Sequence, residues 1–435
     1  MSRRSIFIQR VTQLLEKYHG EGTVYLFSVD FAEFKLINYI YGFAQGDKLL
    51  QDVVDFVQEL PECIYCERAA SDQFIFLVTS KTPWSDDEII AFYDKWSETF
   101  LRKYQDSYPA CKLKFWCGIY QIENGDVVSA IENANLARVK ARQIGATTAV
   151  LFKNSLMEDL VQERQRESDI MCALKEGRFF FYLQPQVDLQ SGEIIGAEAL
   201  ARGIGENGEV IFPDSFVPVL ENNHGIIDLD LLILERVCQN MRQRLDCGKP
   251  VIRTSVNLSR QHIWNNNAAK ILDGIVKKYQ IPPKLIMFEL TENILITEFS
   301  GAKLLGDSLR KLGYATSIDD FGSGYAGIDV WRRLCFDEMK LDKKFMDDDP
   351  ERKKRDEIIA RGLIWMANKM DTTVICEGVE SAERCRDLLD MNCRYAQGYF
   401  FSKPVPPDEF YENYTNLKGH YPISFLDESC KADVP

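Results

Sequence analysis

Hydrophobic and polar positions along the chain follow two patterns that change near residue 155. In the first, Val24-Tyr-Leu-Phe-Ser-Val29 is an apolar run of buried-strand type ending at Asp30. After Gly46-Asp47, the residues Leu49, Leu50, Val53, Val54 and Val57 recur on one helical face. Strand-like runs over 63–69 and 74–79 lie about four residues apart, which is hairpin spacing. A helix near 88–102, a strand over 113–120 and a helix near 127–141 follow. This alternation predicts an α/β domain with a mixed sheet over residues 1–155.

Leu156, Leu160, Ile170 and Leu174 then keep helical spacing inside a strongly charged run without Pro or runs of Gly, so residues 156–177 read as a linker helix. Beyond it come eight short β-like runs, over 179–186, 193–201, 251–257, 285–290, 314–319, 338–341, 373–377 and 395–401. Amphipathic stretches such as 229–244, 268–279, 302–312 and 356–370 fill most of the gaps. Eight strands alternating with helices predict a (β/α)₈ barrel within 166–420. Only a short turn around Gln190-Ser191-Gly192 joins the first two runs, too short for a parallel crossover, so one antiparallel strand and a modified TIM-like barrel are expected. The sign-switching run 347–355 reads as a solvated loop opening the next helix, and 421–435 as a fraying tail.

Composition narrows the function. At 435 residues the chain has room for two or three domains, and its net charge of −14 argues against broad binding of DNA, RNA or anionic membrane. An anionic ligand would therefore need cations supplied by the site itself. The 12 cysteines include one close pair, Cys63 and Cys66, with no second pair to match, and there are four histidines, so a zinc cage is not expected. No window offers the roughly 18 apolar residues that span a bilayer, and the N-terminus lacks a signal-peptide core. These features read as a cytoplasmic protein with reduced thiols and no membrane segment.

The strongest chemical signal is Ile318-Asp319-Asp320-Phe321-Gly322-Ser323-Gly324. Neighbouring side chains on a strand point to opposite faces, so two adjacent acids share a ligand only if the strand ends between them and the glycine turn re-aims the second. Read alone, the stretch is equally an ordinary Asp/Gly turn. The other strand ends decide between the two readings. Gln184, Glu198, Arg202, Asn257, Glu289, Glu292, Asp319, Asp320, Lys340, Glu377 and Gln397 stand at or near them, and a barrel collects such residues at one rim. The carboxylates and the carboxamide suit divalent cations of the magnesium or manganese kind, while Lys340 and Arg202 suit an anionic substrate. Together they suit attack of water on a phosphodiester, with two cations about 3.5–4 Å apart. A glycoside hydrolase would need two acids but not this many metal-type ligands.

Gly196-Ala-Glu-Ala-Leu200 with Arg202, Gln184-Pro185, Val256-Asn257-Leu258-Ser259, Glu289-Leu-Thr-Glu292, Asp319-Asp-Phe-Gly, Lys340-Leu-Asp342, Glu377-Gly-Val-Glu380 and Gln397-Gly398 resemble, in order, the motifs of the EAL family of cyclic di-GMP phosphodiesterases. The resemblance implies that Glu198, Asn257, Glu289 and Asp319 hold a first metal and that Asp319 bridges to a second shared with Asp320, with two Mg²⁺ or Mn²⁺ ions per site. It further implies that Lys340 positions the nucleophilic water and stabilises charge, that Glu377 is the general base or its support, and that Glu292 braces the Asp-Asp-Phe-Gly loop. Gln184 and Arg202 would grip the substrate, Gln397 would line the pocket, the product would be linear pGpG, and the barrel would form a homodimer. Two departures are visible, Gly203 after the arginine and the loop sequence Gly-Ser-Gly-Tyr-Ala-Gly, and neither removes a ligand. A cyclic di-GMP receptor that signals to a protein partner, and a hydrolase of another phosphodiester, are the alternatives.

The first domain resembles a GGDEF (diguanylate cyclase) domain through Asp30-Phe-Ala-Glu-Phe-Lys-Leu-Ile-Asn38, Tyr41-Gly42, Gly46-Asp47 and the hairpin. The family's hairpin turn here reads Ala70-Ser71-Asp72-Gln73-Phe74, which adds Cβ atoms where backbone should approach phosphate and replaces a charged ligand by Gln73. The family's inhibitory RxxD motif is missing upstream. The resemblance thus implies a domain without cyclase activity, serving in dimerisation or as a structural module, or binding GTP as a regulator. Asp30 keeps a family metal position, and Asn38 and Asp47 keep family guanine-contact positions.

Overall fold

The computed structural model describes residues 3–17, 22–70, 72–122, 126–146, 148–292, 298–322, 335–346 and 353–422. Ser71, Ser323 and Gly324, the loop expected over 347–352 and the tail from 423 lie outside the described residues. The chain divides into two compact units, Met1–Arg164 and Gln165–Pro435. The division falls inside the helix Asn154–Lys175, where the spacing predicts one.

The first unit is built on five strands, β1 (Thr23–Phe31), β2 (Cys63–Ala70), β3 (Gln73–Ser80), β4 (Phe115–Gln121) and β5 (Val150–Leu151), in the order β2-β3-β1-β4-β5. β4 and β5 are parallel and the other neighbours antiparallel, the mixed sheet expected. Strand alternation divides the faces of β1. Tyr25, Phe27, Val29 and Phe31 join Leu49, Val53, Trp96 and Phe100 in one core, under the helices Phe43–Gln58 and Asp86–Gln105. Val24 and Leu26 join Ile75, Leu77, Val127, Ile131 and Ala134 in another, under the helix Val127–Gln143. Ser28 and Asp30 share that second face.

The helix expected after Gly46-Asp47 begins earlier, at Phe43. Gly42, at φ 85°, makes the break instead. Gly46 sits inside the helix because a Cβ there would lie 2.0 Å from Asn38 Oδ1.

The second unit closes eight strands into a barrel: β6 (Phe179–Asp188), β7 (Ile194–Ile204), β9 (Thr254–Leu258), β10 (Ile286–Thr291), β11 (Ala315–Phe321), β12 (Glu338–Leu341), β13 (Thr373–Cys376) and β14 (Tyr395–Gln397). β6 runs antiparallel to both β7 and β14, while the remaining neighbours are parallel. A two-residue β8 (Val210–Ile211), absent from the sequence reading, pairs with the end of β7. Residues 353–355, expected in the solvated loop, begin the helix Lys353–Lys369.

Apolar side chains on the outer face of the strands, such as Val256, Phe288 and Leu290, share one core with helix residues such as Leu234, Leu272 and Leu305. Alternation leaves Glu198, Glu289 and Lys340 inside the barrel, fully or almost fully buried. Among the described residues no helix is long and apolar enough to cross a membrane.

Candidate active site

Lys340 on β12 is the centre of the barrel interior. Its Nζ lies 2.8 Å from Glu198 Oε2, 2.9 Å from Glu289 Oε2, 3.0 Å from Asp319 Oδ1 and 2.8 Å from Glu377 Oε1. Sheet register explains the convergence. Gln184 is the cross-strand partner of Glu198, Glu289 lies opposite both Asn257 and Ser317, and Lys340 is level with Ile375, two residues before Glu377.

Amides complete the floor. Asn257 Nδ2 donates to Glu198 Oε1 at 2.9 Å and Gln397 Nε2 donates to Glu198 Oε2 at 2.6 Å. Gln397 also donates to Gln184 Oε1, and Gln186, which the sequence reading passed over, donates to Gln397 Oε1. Gln186 stands two residues after Gln184 on one strand, so the period-two rule already put both on one face.

The charges are unequal in number. One ammonium faces four carboxylates. Burial would lower the Lys340 pKa, but the four acids outweigh it and hold the ammonium well above the ordinary lysine range. Burial raises Glu198 too, yet Lys340 and the donors from Gln397 and Asn257 leave its carboxyl below the ordinary value. For Glu289 and Asp319 burial and the neighbouring acids win over Lys340 and push the carboxyls up. The same balance lifts Glu377 to about 8. Asp320 rises to about 6, from burial first and then from Asp319 and Asp342.

The two adjacent aspartates do share a site, by a different device from the one the sequence suggests. β11 runs through both of them to Phe321. Between Ile318 and Phe321 its pairing with β12 gains one residue, a β-bulge, and Asp320 takes φ 54°. Asp is among the few residues that tolerate this left-handed conformation, and it turns the second carboxylate toward the first. Gly322 follows at φ 94°, with Phe345 packed so close that a Cβ would overlap its ring. Glu292 Oε2 accepts the Gly322 N–H at 2.6 Å, a brace at the base of the loop.

Two triads of carboxylate oxygens result, Glu198–Glu289–Asp319 and Asp319–Asp320–Glu377, each with its oxygens within 4.8 Å of one another. Asp319 belongs to both. Glu289 Oε1 is buried without a hydrogen-bond partner, which is costly unless something positive can approach it. The donor set therefore fits a pair of hard divalent cations sharing Asp319. Some of these oxygens also contact Lys340, so cations would share them with the ammonium.

Above the floor opens a cleft of about 450 Å³, lined by Gln184, Glu198, Asp319, Asp320, Glu377 and Gln397 together with Asp342, Lys343, Lys344, Glu380 and Tyr399. The last five were given no role from sequence; Asp342 and Glu380 close the lysine and glutamate motifs, and Lys343 and Lys344 follow the first of these. Glu289 and Lys340 lie beneath the cleft, and Asn257 reaches its floor through Glu198. Arg202 sits apart from these acids. Its guanidinium lies 5.2 Å from the Tyr182 ring and 5.3 Å from the Phe212 ring, donates to Ala201 O, and leaves Nε buried without a partner. Neither ring was singled out from sequence, because Phe212 reaches Arg202 only through the unforeseen pairing of β7 with β8. Gly203 is part of the same packing, since a Cβ there would press on Phe179 and Ile211 at 3.1 and 3.3 Å.

In the first unit Asp30 on β1 forms an ion pair with Arg138. Asp47 is exposed and pairs with Arg68 at 3.0 Å, and Asn38 lies half-buried under Gly46. Gln73 is the cross-strand partner of Asp30.

Comparison with known proteins agrees with both halves of this description. Residues 167–404 match the EAL domain family, and residues 1–148 match the family described as diguanylate cyclase, GGDEF domain. Signaling protein YkoW of Bacillus subtilis is 28% identical over 93% of this chain and 50% of its own length. Cyclic di-GMP phosphodiesterase NbdA of Pseudomonas aeruginosa is 28% identical over 93% of this chain and 52% of its own length. The chain thus spans about half the length of these relatives. Cyclic di-GMP phosphodiesterase RocR of Pseudomonas aeruginosa is 30% identical over 60% of this chain and 68% of its own length. Among solved structures, the PaMucR phosphodiesterase in complex with c-di-GMP superposes with a TM-score of 0.53 at 26% identity, covering 57% of this chain and 99% of that one. The chain accordingly belongs to the EAL domain family and carries a diguanylate cyclase GGDEF domain ahead of its barrel.

Proposed function

We propose that the barrel hydrolyses cyclic di-GMP to linear pGpG with two Mg²⁺ or Mn²⁺ ions, and that the GGDEF domain is a regulatory or dimerising module without cyclase activity. The observation that carries the reading is the pair of acid triads sharing Asp319 at the floor of an open cleft. Glu198, Asn257, Glu289 and Asp319 would hold the first ion, and Asp319 with Asp320 the second. Bound there, the ions would lower the pKa of water and neutralise charge on the attacked phosphate.

The chain's own residues do the rest. Gln184, Arg202 and Gln397 grip the dinucleotide, Arg202 as the planar cation suited to phosphate. The Lys340 ammonium, kept charged by its four acids, opposes negative charge building on the phosphoryl oxygens. Glu377, beside Asp319 and Asp320, takes the proton from the attacking water as its carboxylate. The water oxygen bonds to phosphorus, the bond from phosphorus to the 3′ oxygen breaks, and that oxygen takes a proton from solvent in the open cleft while Glu377 returns its own to solvent. One ring opening gives the linear product with a 5′ phosphate. Glu292, through the Gly322 N–H, keeps the bulge carrying Asp320 in place.

A homodimer through the EAL domain is supported by the helix Lys353–Lys369, which leaves Ile358 and Trp365 exposed on one face. Sedimentation of Trp365→Arg beside the wild type tests it. The activity is tested by following pGpG chromatographically with Mg²⁺ or Mn²⁺, beside Glu198→Ala, with and without GTP. Metal-dependent product from the wild type alone supports the reading. Tight binding of intact cyclic di-GMP without product would replace it by a receptor, and neither binding nor turnover would point to another phosphodiester.

A further inference from the structure

The GGDEF resemblance puts a metal ligand at Asp30, and the surroundings of Asp30 do not fit a metal. β1 alternates so that Leu26, Ser28 and Asp30 face the helix Val127–Gln143. On β4 the cross-strand partner of Ser28 is Gly118. A Cβ at Gly118 would lie 2.1 Å from both Ala134 O and Arg138 N, so only glycine lets the helix backbone come down this far. The close approach lays Arg138 across β1.

Arg138 is held from two sides. Its Nε donates to Ser28 Oγ at 3.0 Å, and its terminal nitrogen forms an ion pair with Asp30 Oδ2. Ser28 Oγ donates to Asn135 Oδ1 at 2.7 Å, and Gln73 Nε2 donates to the same oxygen at 2.6 Å. Gln73, opposite Asp30 in register, is thereby tied to the helix and brings no charge.

The pair is sheltered, with side-chain exposures of 14% for Arg138 and 10% for Asp30. The remaining atom, Asp30 Oδ1, is buried and has no hydrogen-bond partner, but a cation would have to reach it with a guanidinium fixed on the sister oxygen. Like-charge repulsion is poorly screened at such a depth. Asp72 and Arg142, which also act on Asp30, oppose each other in sign.

We infer that Arg138 takes the place of the divalent cation at Asp30, so that the GGDEF domain is neutralised from within and any nucleotide it takes is bound without a metal at that residue. The inference concerns the first domain alone and stands or falls apart from hydrolysis by the barrel. Its test counts Mn²⁺ bound to the full chain by electron paramagnetic resonance, in the wild type, Asp30→Asn, Arg138→Leu and Arg138→Leu/Asp30→Asn. The wild type and Asp30→Asn should bind equal numbers of ions. Arg138→Leu should bind one more, and the double variant should lose it again. Arg138→Gln, which keeps a neutral donor toward Ser28, serves the same purpose if the leucine variant does not fold. Loss of an ion in Asp30→Asn relative to the wild type overturns the inference. So does a folded Arg138→Leu or Arg138→Gln that gains none. If neither folds, the comparison of wild type with Asp30→Asn decides alone.

Discussion

Each domain carries an aspartate at or near the end of a buried strand with a basic side chain set against it, and the two arrangements differ in stoichiometry. In the barrel one ammonium, Lys340, faces Glu198, Glu289, Asp319 and Glu377. In the first domain one guanidinium, Arg138, meets one carboxylate, Asp30. Each site leaves a buried carboxylate oxygen, Glu289 Oε1 and Asp30 Oδ1, without a hydrogen-bond partner, so what separates them is charge: the first set keeps an excess of negative charge and the second is balanced. Buried like charges are tolerated only if something neutralises them, so the unbalanced set attracts cations and the balanced one does not. Counting the charges around an acid is therefore more informative than finding the acid at a motif position.

The largest effect should come from lowering the excess where both triads meet. Asp319→Asn removes the shared carboxylate and should cut cyclic di-GMP turnover by about 10³-fold or more, since ligand loss forfeits several kcal/mol of charge stabilisation. Bound Mn²⁺ should fall in parallel, and a variant that keeps both ions would break the comparison. Glu377→Gln should come next, with a loss of roughly 10²–10³-fold in kcat, the range for a general base. If Glu377 only supports the ions, the loss should be largely recovered by raising Mn²⁺, which separates the two roles.

Much of this difference was legible in the sequence, and the part that was not is long-range. The barrel strands read as apolar runs because strands buried on both faces must be apolar, and the antiparallel start followed from the short turn after β6. The residues of the acid cluster were visible one strand at a time. The way the second aspartate is re-aimed was not, because a bulge is a disagreement in length between β11 and β12 and leaves no local mark apart from an Asp able to take φ 54°. Arg138 had no signal at all. It is one basic residue on an amphipathic helix, and its meaning depends on Gly118 and Asp30, on two other elements.

Gly322→Ala probes the bulge. The φ of 94° and the Phe345 ring leave no room for a Cβ, so the variant should lose roughly 1–3 kcal/mol of stability. Turnover should fall by about 100-fold, the usual scale for a misplacement of about 1 Å. Thermal unfolding and kcat measured together check it; a stable variant with a displaced rate optimum in metal concentration would sharpen the link between Gly322 and Asp320.

A smaller effect is expected at Arg202, a cation held by rings rather than acids. Phe212→Ala removes one face of its sandwich, worth about 0.5–2 kcal/mol. KM for cyclic di-GMP should rise by roughly 2–30-fold with kcat nearly unchanged, and Phe212→Tyr should restore it. A fall in kcat instead would mean that Phe212 shapes the acid cluster.

The smallest effect tests whether balanced pairs are structural wherever they occur. Asp188, at the end of β6, accepts Arg394 Nε at 2.8 Å and the Gln190 N–H at 2.9 Å, and so pins the turn that makes β6 antiparallel. Burial raises its carboxyl, but the bonds from Arg394 and Gln190 outweigh that and leave its pKa below the ordinary value. A depressed pKa in the folded state contributes stability that is fully present above the unfolded value of about 3.9 and is lost as pH falls through the folded one. Asp188→Asn should therefore lower Tm by about 2–4 °C at pH 7, corresponding to about 1 kcal/mol for a domain of this size. The gap to the wild type should stay constant down to about pH 4 and close below it, while turnover and bound Mn²⁺ remain those of the wild type. A gap that persists at lower pH would mean that the turn depends on packing rather than on charge. A change in bound metal would show that a balanced pair can influence the unbalanced cluster after all.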